Sequence, residues 1–289
     1  MLGPQPLAGA MAALTSAAAS RGVDITDTAH VRVDAADTED TEDDVLLGHR
    51  RVSFAVSGEG AFAGTASMRL LGDHQRRNAQ AALAVLQAMR LGPPSAARLR
   101  TAPDAPAWRI TPDAVAEGLS QATLRGRFEV LRAPTGSAGP ILVVDGAHTP
   151  AAARALAATL RECGYGDAGG RRLAIVLAMA ADKDAFGVCE PLSALRPVAC
   201  FFTRTRVAGA STRAAAPEWL AETWWREAPS GAYWRAEREV QPRFATALAC
   251  AVRAAGPHGT VCVAGSLHAA WEAGRLARLA GGRKVWGRE

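Results

Sequence analysis

The chain has 289 residues, enough for one large or two ordinary domains. Of these residues, 49% are hydrophobic and 21% charged, a composition that argues against wholesale disorder. Its formal net charge of +5 comes from arginine, because Lys183 and Lys284 are the only lysines. The arginines are scattered and rarely lie among aromatic residues, so we expect no nucleic-acid partner; an anionic small molecule suits the charge equally well. No apolar run approaches the ~20 residues that span a bilayer, so we expect no membrane partner.

The five cysteines form no C-x-x-C pair and are odd in number. Most of them lie in apolar stretches, which indicates buried free thiols in a reducing compartment. They give no sign of a metal site, and we predict none from them.

The first 124 residues predict helices around a β-hairpin. An alanine-rich helix is expected from about Pro6 to Ser20, and the acidic stretch from Asp34 to Asp44 is expected to be a solvated loop. Two strands, Arg51–Val56 and Gly64–Leu71, flank a glycine-rich turn. Apolar residues at helical spacing then predict a helix from His74 to Leu91, followed by a short helix that begins at Thr111-Pro112.

The pattern changes to alternating strands and helices after about Leu124, where we place a domain boundary. Strands that are apolar throughout and alternate with helices are typical of an α/β fold with a mostly parallel sheet covered on both faces. The predicted strands are Ile141–Val144, Leu173–Met179, Val198–Thr203 and Thr260–Ala264, and the helices between them include Pro150–Cys163 and Phe244–Ala255.

Polar groups follow four of the predicted strands, at the carboxyl edge where open α/β sheets bind ligands. They are Asp145-Gly146-Ala147-His148, Asp182-Lys183-Asp184, Thr205-Arg206 and Gly265-Ser266-Leu267-His268. Thr149-Pro150 predicts a helix start directly after the first group, where free N–H groups favour an anion. Simpler interpretations stay open: Asp145 as a turn-capping aspartate, and His148 as a packed or surface histidine.

Five segments in the same order resemble the folylpolyglutamate synthase and dihydrofolate synthase family of the Mur ligase superfamily. They are Leu71-Gly72-Asp73-His74-Gln75-Arg76-Arg77-Asn78-Ala79 (family G-x-H-Q-x-x-N-A, from Gly72 onward), Gly126-Arg127-Phe128-Glu129 (G-R-x-E), Asp145-Gly146-Ala147-His148-Thr149-Pro150 (D-G-A-H-N-P), Met179 to Asp184 (D-K-D) and Ala264-Gly265-Ser266-Leu267-His268 (T-G-S-L-H). Thr149 replaces the family's asparagine. That change, with Val207-Ala208-Gly209-Ala210-Ser211, looks closest to the plant-type dihydrofolate synthases.

The resemblance implies that residues 1–124 are the remainder of a central ATP-binding domain and residues 125–289 a Rossmann-like C-terminal glutamate ligase domain. It implies a ligase that uses ATP and Mg²⁺ to add L-glutamate to dihydropteroate or folate through an acyl phosphate. It implies that Asn78, Arg127 and Asp145 contact ATP in one cleft and that His148 lies near the phosphates as the catalytic candidate. The full-length protein would be a monomer of the cytoplasm or mitochondrion, and the sequence leaves compartment and substrate open.

The family's phosphate loop, G-x-x-x-x-G-K-S/T, is absent, because neither lysine follows a glycine. The family's magnesium ligands also belong to segments before the region that matches, so we expect no metal ligands in this chain. We therefore expect a fragment of a ligase that is inactive alone. The alternatives are an inactive paralogue that binds a nucleotide or a partner, a cell-wall Mur ligase, and a generic Rossmann-like binding protein.

Overall fold

A computed structural model describes residues 8–23, 25, 28–36, 48–58, 61–91, 110–132, 139–166, 170–206, 213–227 and 237–278. The chain divides into two compact units, Met1–Thr123 and Leu124–Glu289. The segment Val207–Ser211, which carries the plant-type resemblance, and Lys284 lie outside the described residues.

The first unit has a three-stranded antiparallel sheet in the order β1-β2-β3, packed against helices. Phe54 and Leu83 are buried in its core, which joins the sheet to the long helix. In chain order the elements are α1 (Ala8–Ala19), β1 (Val31–Ala35), β2 (Arg50–Val56), β3 (Phe62–Met68), α2 (Asp73–Leu91) and α3 (Pro112–Gln121).

The predicted hairpin and helices of this unit are confirmed, but strand β1 was not predicted, and β3 begins at Phe62 instead of Gly64. β3 ends at Met68, three residues before the predicted end, because the chain turns at Gly72 towards α2. The prediction of a loop from Asp34 is wrong at its start, because Asp34 and Ala35 belong to β1. Val31 and Val33 alternate with exposed residues, so one face of β1 is buried although its sequence is half polar.

The second unit is a six-stranded sheet in the order β4-β5-β9-β6-β7-β8, in which every neighbouring pair is parallel except β4 with β5. Its strands are β4 (Glu129–Leu131), β5 (Ile141–Val144), β6 (Leu173–Leu177), β7 (Ala199–Phe202), β8 (Glu237–Val240) and β9 (Thr260–Ala264). Its helices are α4 (Pro150–Glu162), α5 (Ala185–Ser193), α6 (Pro217–Glu227), α7 (Phe244–Ala255) and α8 (Leu267–Arg278).

The sheet of the second unit is covered on both faces, as predicted. Helices α4, α5 and α6 pack beside one another on one face, and α7 and α8 cover the other. Strands β5, β6, β7 and β9 are buried at every residue, which explains why their sequences are apolar without alternation. The α/β fold with a mostly parallel sheet is therefore confirmed.

The last strand of the sheet, β9, is inserted between β5 and β6. The chain leaves β5, passes over the position of β9 through α4, and enters β6 on the far side. Helices α4 and α5, which follow β5 and β6, lie on one face of the sheet, and α8, which follows β9, lies on the other. The loops after these neighbouring strands therefore diverge at the carboxyl ends of the strands, where open α/β sheets bind ligands. The segments that follow β5, β6 and β9 therefore meet at one edge.

Candidate functional site

The Asp145 side chain, at the end of β5, is used by the protein's own backbone. Its Oδ2 accepts the N–H of Phe128 at 2.7 Å and its Oδ1 accepts the N–H of Ala147 at 2.7 Å. Asp145 is 8% exposed. These contacts agree with the interpretation of Asp145 as a turn-capping aspartate, and a ligand would have to share the carboxylate with the two amides.

The loop from Gly126 to Phe128 has an unusual backbone. Gly126 has φ of 69° and Phe128 has φ of 45°, a left-handed conformation that a bulky residue rarely adopts. The Phe128 ring is buried and stacked on Tyr165, with ring centroids 6.2 Å apart and planes 12° apart. The stacked ring and the hydrogen bond to Asp145 together hold Phe128 in this conformation.

The glycine of the Asp145 turn is required by close packing. The Gly146 N–H donates to the Gly126 carbonyl at 2.8 Å, which joins the turn to the loop before β4. A Cβ at position 146 would lie 2.4 Å from Leu267 Cδ2 and 3.3 Å from Leu267 Cα. Only glycine therefore lets the start of α8 approach this turn.

Glu129 holds the same loop from its other end. Its Oε2 accepts the Gly126 N–H at 3.0 Å, and its Oε1 accepts Nη1 of Arg278, at the end of α8, at 2.7 Å. Sequence reasoning missed both residues. Glu129 stood in the family motif and could have been found there, whereas Arg278 lies 149 residues away and belongs to no motif.

Arg127 lies between the two residues of positive φ. Its backbone N–H donates to the Leu124 carbonyl at 3.1 Å, and the residue is half-buried. Among the described residues its guanidinium has no ion-pair partner. The loop thus fixes the backbone of an arginine whose charge is left for another anion, and an arginine fork suits phosphate or carboxylate oxygens.

His148 has one ring nitrogen fixed. Its Nδ1 lies 2.7 Å from the Gly146 carbonyl oxygen. A carbonyl oxygen can only accept, so Nδ1 must carry the proton in this contact. In a neutral ring Nε2 is therefore an acceptor, and in an imidazolium it is a second donor. The half-buried ring is oriented by its own turn.

The helix that follows this turn begins as predicted. Thr149 Oγ1 accepts the Ala152 N–H at 3.3 Å, and Pro150 occupies the first helical position. A Cβ at Gly187 would meet Pro150 Cγ at 2.6 Å, so the start of α5 packs against the start of α4. Asp184 caps α5 by accepting the Gly187 N–H at 2.9 Å. The segments after β5 and β6 thus lie side by side.

The remaining charged residues after β6 form an exposed cluster. Asp182 Oδ2 lies 3.0 Å from Arg213 Nη2 and 3.8 Å from Lys183 Nζ. Partial loss of hydration pulls the pKa of Asp182 upward, but the hydrogen bond from Arg213, a backbone hydrogen bond and the positive charges of Arg213 and Lys183 outweigh it. The pKa of Asp182 therefore lies below its ordinary value. The carboxylate therefore stays ionised at neutral pH.

The segment after β9 completes the edge with backbone contacts. The Gly265 N–H donates to the Ala147 carbonyl at 2.8 Å, and Ser266 Oγ accepts the His268 N–H at 3.1 Å at the start of α8. These contacts give Ser266 the structural role of a helix start. His268 is exposed.

Asn78 belongs to the first unit, in the second turn of α2. Its Nδ2 donates to Gln75 Oε1 at 2.9 Å, and Gln75 is buried. Arg127, Asp145 and His148 lie together in the second unit. The convergence of Asn78 on that group stays a prediction.

The described residues contain no group of three or more His, Cys, Asp or Glu side chains that could hold a metal ion. Within the same ranges, no helix is both long and apolar enough to cross a membrane.

Residues 126–267 match the family described as Mur ligase, glutamate ligase domain. Over 136 residues the chain is 34% identical to a probable bifunctional folylpolyglutamate synthase/dihydropteroate synthase of Halobacterium salinarum, a match that covers 47% of this chain and 13% of that protein. In fold it is similar to Mycobacterium tuberculosis folylpolyglutamate synthase complexed with ADP and AMPPCP (TM-score 0.65, 22% identity, 99% of this chain and 55% of that one). It is also similar to E. coli FolC in complex with DHPP and ADP (TM-score 0.65, 20% identity, 92% of this chain and 50% of that one).

The second unit is therefore a Mur ligase glutamate ligase domain: its sheet, its helices and the matched range 126–267 agree. In sequence the chain is similar to the probable bifunctional folylpolyglutamate synthase/dihydropteroate synthase, and in fold it is similar to the two solved synthases. It spans about half the length of the solved structures that it matches.

Proposed function

We propose that this chain forms part of the ATP site of a ligase that adds L-glutamate to dihydropteroate or to folate. The guanidinium of Arg127, which has no ion-pair partner among the described residues, supports this proposal most strongly. Its loop is tied to the D-G-A-H turn by the Phe128–Asp145 and Gly146–Gly126 hydrogen bonds, so the arginine and His148 belong to one rigid group. A guanidinium held this way would bind the phosphates of ATP through paired, charge-assisted hydrogen bonds.

His148 would act on the same phosphates. With Nδ1–H held by the Gly146 carbonyl, Nε2 is the nitrogen left to face a ligand. In the imidazolium form Nε2–H would donate to a phosphate oxygen and balance negative charge as the acyl phosphate forms. The ring contributes a fixed donor at the start of α4, where the helix dipole favours an anion in any case.

Asp145 would serve the nucleotide in two ways. Its oxygens hold the Phe128 and Ala147 amides, which shape the loop and the turn. A ribose hydroxyl would donate to the same carboxylate, because an ionised carboxylate offers about four acceptor positions. Asp145 would therefore both contact the nucleotide and hold the loop and the turn in place.

The chain does not supply the whole site. The phosphate loop is absent from its 289 residues, and the described residues show no metal-binding group. Mg²⁺, when bound with ATP, would neutralise charge on the transferring phosphoryl group, and no residue of this chain is assigned to hold it. We therefore propose that the 289-residue chain alone does not join glutamate to a pterin acid or a folate.

The experiment compares ADP binding by the wild type, Arg127→Met and Arg125→Met. Arg125 is an exposed arginine two residues away and controls for the loss of one positive charge. We expect weak binding that Arg127→Met lowers by about tenfold, the effect of a charged hydrogen-bond pair, and Arg125→Met leaves nearly unchanged. Equal affinities for all three proteins would contradict the assignment of Arg127.

Ligation is tested separately by incubating the pure chain with ATP, Mg²⁺, labelled glutamate and either dihydropteroate or folate. We expect no labelled product. Product formation would refute the proposed inactivity of the chain alone. The alternative of an inactive nucleotide-binding paralogue is distinguished by reading the coding sequence before Met1 for a G-K-S/T loop, which a ligase would carry there.

A further inference from the structure

We infer that Glu129, supported by Arg278, is a positioning residue that sets the place of the Arg127 guanidinium. The inference rests on the proposed function, since it concerns how that arginine is presented to phosphate. It goes beyond the motif resemblance, because Arg278 stands outside every motif and Glu129 was assigned no contact.

Both neighbours of Arg127 donate their backbone N–H to a carboxylate. Gly126 donates to Glu129 Oε2 at 3.0 Å, and Phe128 donates to Asp145 Oδ2 at 2.7 Å. The backbone is thus held by a hydrogen bond on each side of Arg127, at Gly126 and at Phe128. Charge-assisted bonds of this kind are stronger than those between neutral groups.

The two points of attachment maintain a conformation that the loop would otherwise leave. Gly126 and Phe128 both have positive φ, and for Phe128 this conformation is sterically unfavourable. If the Gly126 N–H lost its acceptor, the backbone on the amino side of Arg127 could relax. Because the guanidinium lies at the end of a long side chain, a small rotation of the backbone would move it a long way from its binding position.

Arg278 fixes the acceptor. Its Nη1 lies 2.7 Å from Glu129 Oε1, so each oxygen of the Glu129 carboxylate has a separate donor. The side chains are partly shielded, with Glu129 20% and Arg278 39% exposed. A partly exposed ion pair contributes little to stability, so its removal is expected to leave the unit folded.

The test measures ADP and adenosine binding to the full chain through amide chemical shifts, which detect millimolar affinities. The variants are Glu129→Gln and Arg278→Met. Glu222→Gln and Arg226→Met are the controls, because that pair on α6 is also a glutamate–arginine ion pair, more exposed than Glu129–Arg278, with 2.6 Å between its atoms. We expect the first two variants to weaken ADP binding about fivefold, the loss of one hydrogen bond, and to leave adenosine binding and the controls unchanged.

A merely structural role is separated by repeating both variants in an Arg127→Met background. If Glu129 acts through Arg127, Glu129→Gln has no further effect there, because coupled residues are not additive. An equal loss in both backgrounds overturns the inference. If Glu129→Gln does not fold, Arg278→Met carries the test, since it keeps the carboxylate.

The failure of this inference differs from the failure of the proposed function. ADP binding that Arg127→Met weakens but Glu129→Gln and Arg278→Met do not would overturn the inference and leave the nucleotide site standing. If the wild type and Arg127→Met bind ADP equally well, or if neither binds it, both this inference and the proposed function are overturned. Hydrogen exchange at the Gly126 amide adds a direct readout, and we expect it to be faster in Glu129→Gln than in Glu222→Gln.

Discussion

The Asp145 carboxylate holds Phe128 in a left-handed backbone conformation, through a 2.7 Å hydrogen bond from the Phe128 N–H to Oδ2. The two residues are 17 positions apart in the sequence. Phe128 precedes β4 and Asp145 follows β5, so both lie at the same end of this antiparallel pair. One buried carboxylate therefore shapes both the loop that carries Arg127 and the turn that carries His148.

Replacing Asp145 should destabilise the second unit. Asp145→Ala would leave the Phe128 and Ala147 amides without acceptors, and we expect a loss of about 3 kcal/mol in the free energy of unfolding. Asp145→Asn keeps one acceptor oxygen and should lose about half as much. Urea unfolding followed by tryptophan fluorescence reports mainly on this unit, because all tryptophans except Trp108 follow residue 124. Unchanged midpoints would mean that these hydrogen bonds do not support the fold.

Gly146→Ala should also destabilise the fold, because its Cβ would lie 2.4 Å from Leu267 Cδ2 and 2.6 Å from Leu267 Cγ. Overpacking of this kind costs about 1–3 kcal/mol. Leu267 is 42% exposed, so Leu267→Ala alone should cost little, and the double variant should recover much of the lost stability. Losses that simply add in the double variant would show that the contact with Leu267 is not the cause. The measurement is the same urea unfolding.

The ring of His148 should be observed with its proton on Nδ1. The 2.7 Å contact with the Gly146 carbonyl requires a donor at Nδ1, whereas an exposed histidine such as His268 is free to adopt either tautomer. Long-range ¹⁵N–¹H correlation spectra at a pH where the rings are neutral distinguish the two nitrogens. A neutral His148 ring protonated on Nε2 would contradict the geometry of this turn.

Much of the second unit could be predicted from its sequence, because β5 and β9 are buried on both faces and are apolar from end to end. The edge strands β4 and β8 were missed. Three residues in β4 give no periodicity, and Glu237-Arg238-Glu239 in β8 is charged. Helix α6, Pro217–Glu227, was also not predicted, although Pro217 and Glu218 in its first turn are typical of a helix start.

The candidate site shows a similar limit. The motifs identified the segments that meet at the sheet edge, since a motif records which residue types recur together. They could not show that both oxygens of Asp145 are occupied by amides, because that depends on the left-handed conformation of Phe128. The Glu129–Arg278 pair spans 149 residues and becomes visible only once α8 is placed against the sheet.

The buried cysteines provide a check on the core. Cys163, Cys189, Cys200 and Cys262 are buried, and Cys250 is the one partly exposed cysteine among the five, all of which lie in described residues. Burial, with the nearby charge of Asp145, raises the pKa of the Cys262 thiol far above its usual range. We expect a thiol reagent at neutral pH to label no cysteine of the native chain other than Cys250. Cys250→Ser should therefore abolish the labelling. Rapid labelling of any thiol in Cys250→Ser would contradict the burial of the other four cysteines.

The ion pair of Asp182 with Arg213 gives a pH dependence of known sign. The pKa of Asp182 is lowered below 3.8 in the folded chain, so the pair favours the fold above that pH and its contribution is lost as the pH falls through the lower value. Carboxyl ¹³C shifts followed during acid titration should show Asp182 ionising at lower pH than an unpaired aspartate. In Arg213→Met the Asp182 midpoint should rise, because the hydrogen bond and the main positive charge are gone, while Arg226→Met, which breaks an ion pair elsewhere, should leave it unchanged. A midpoint that Arg213→Met does not move would show that the 3.0 Å contact is not maintained in solution.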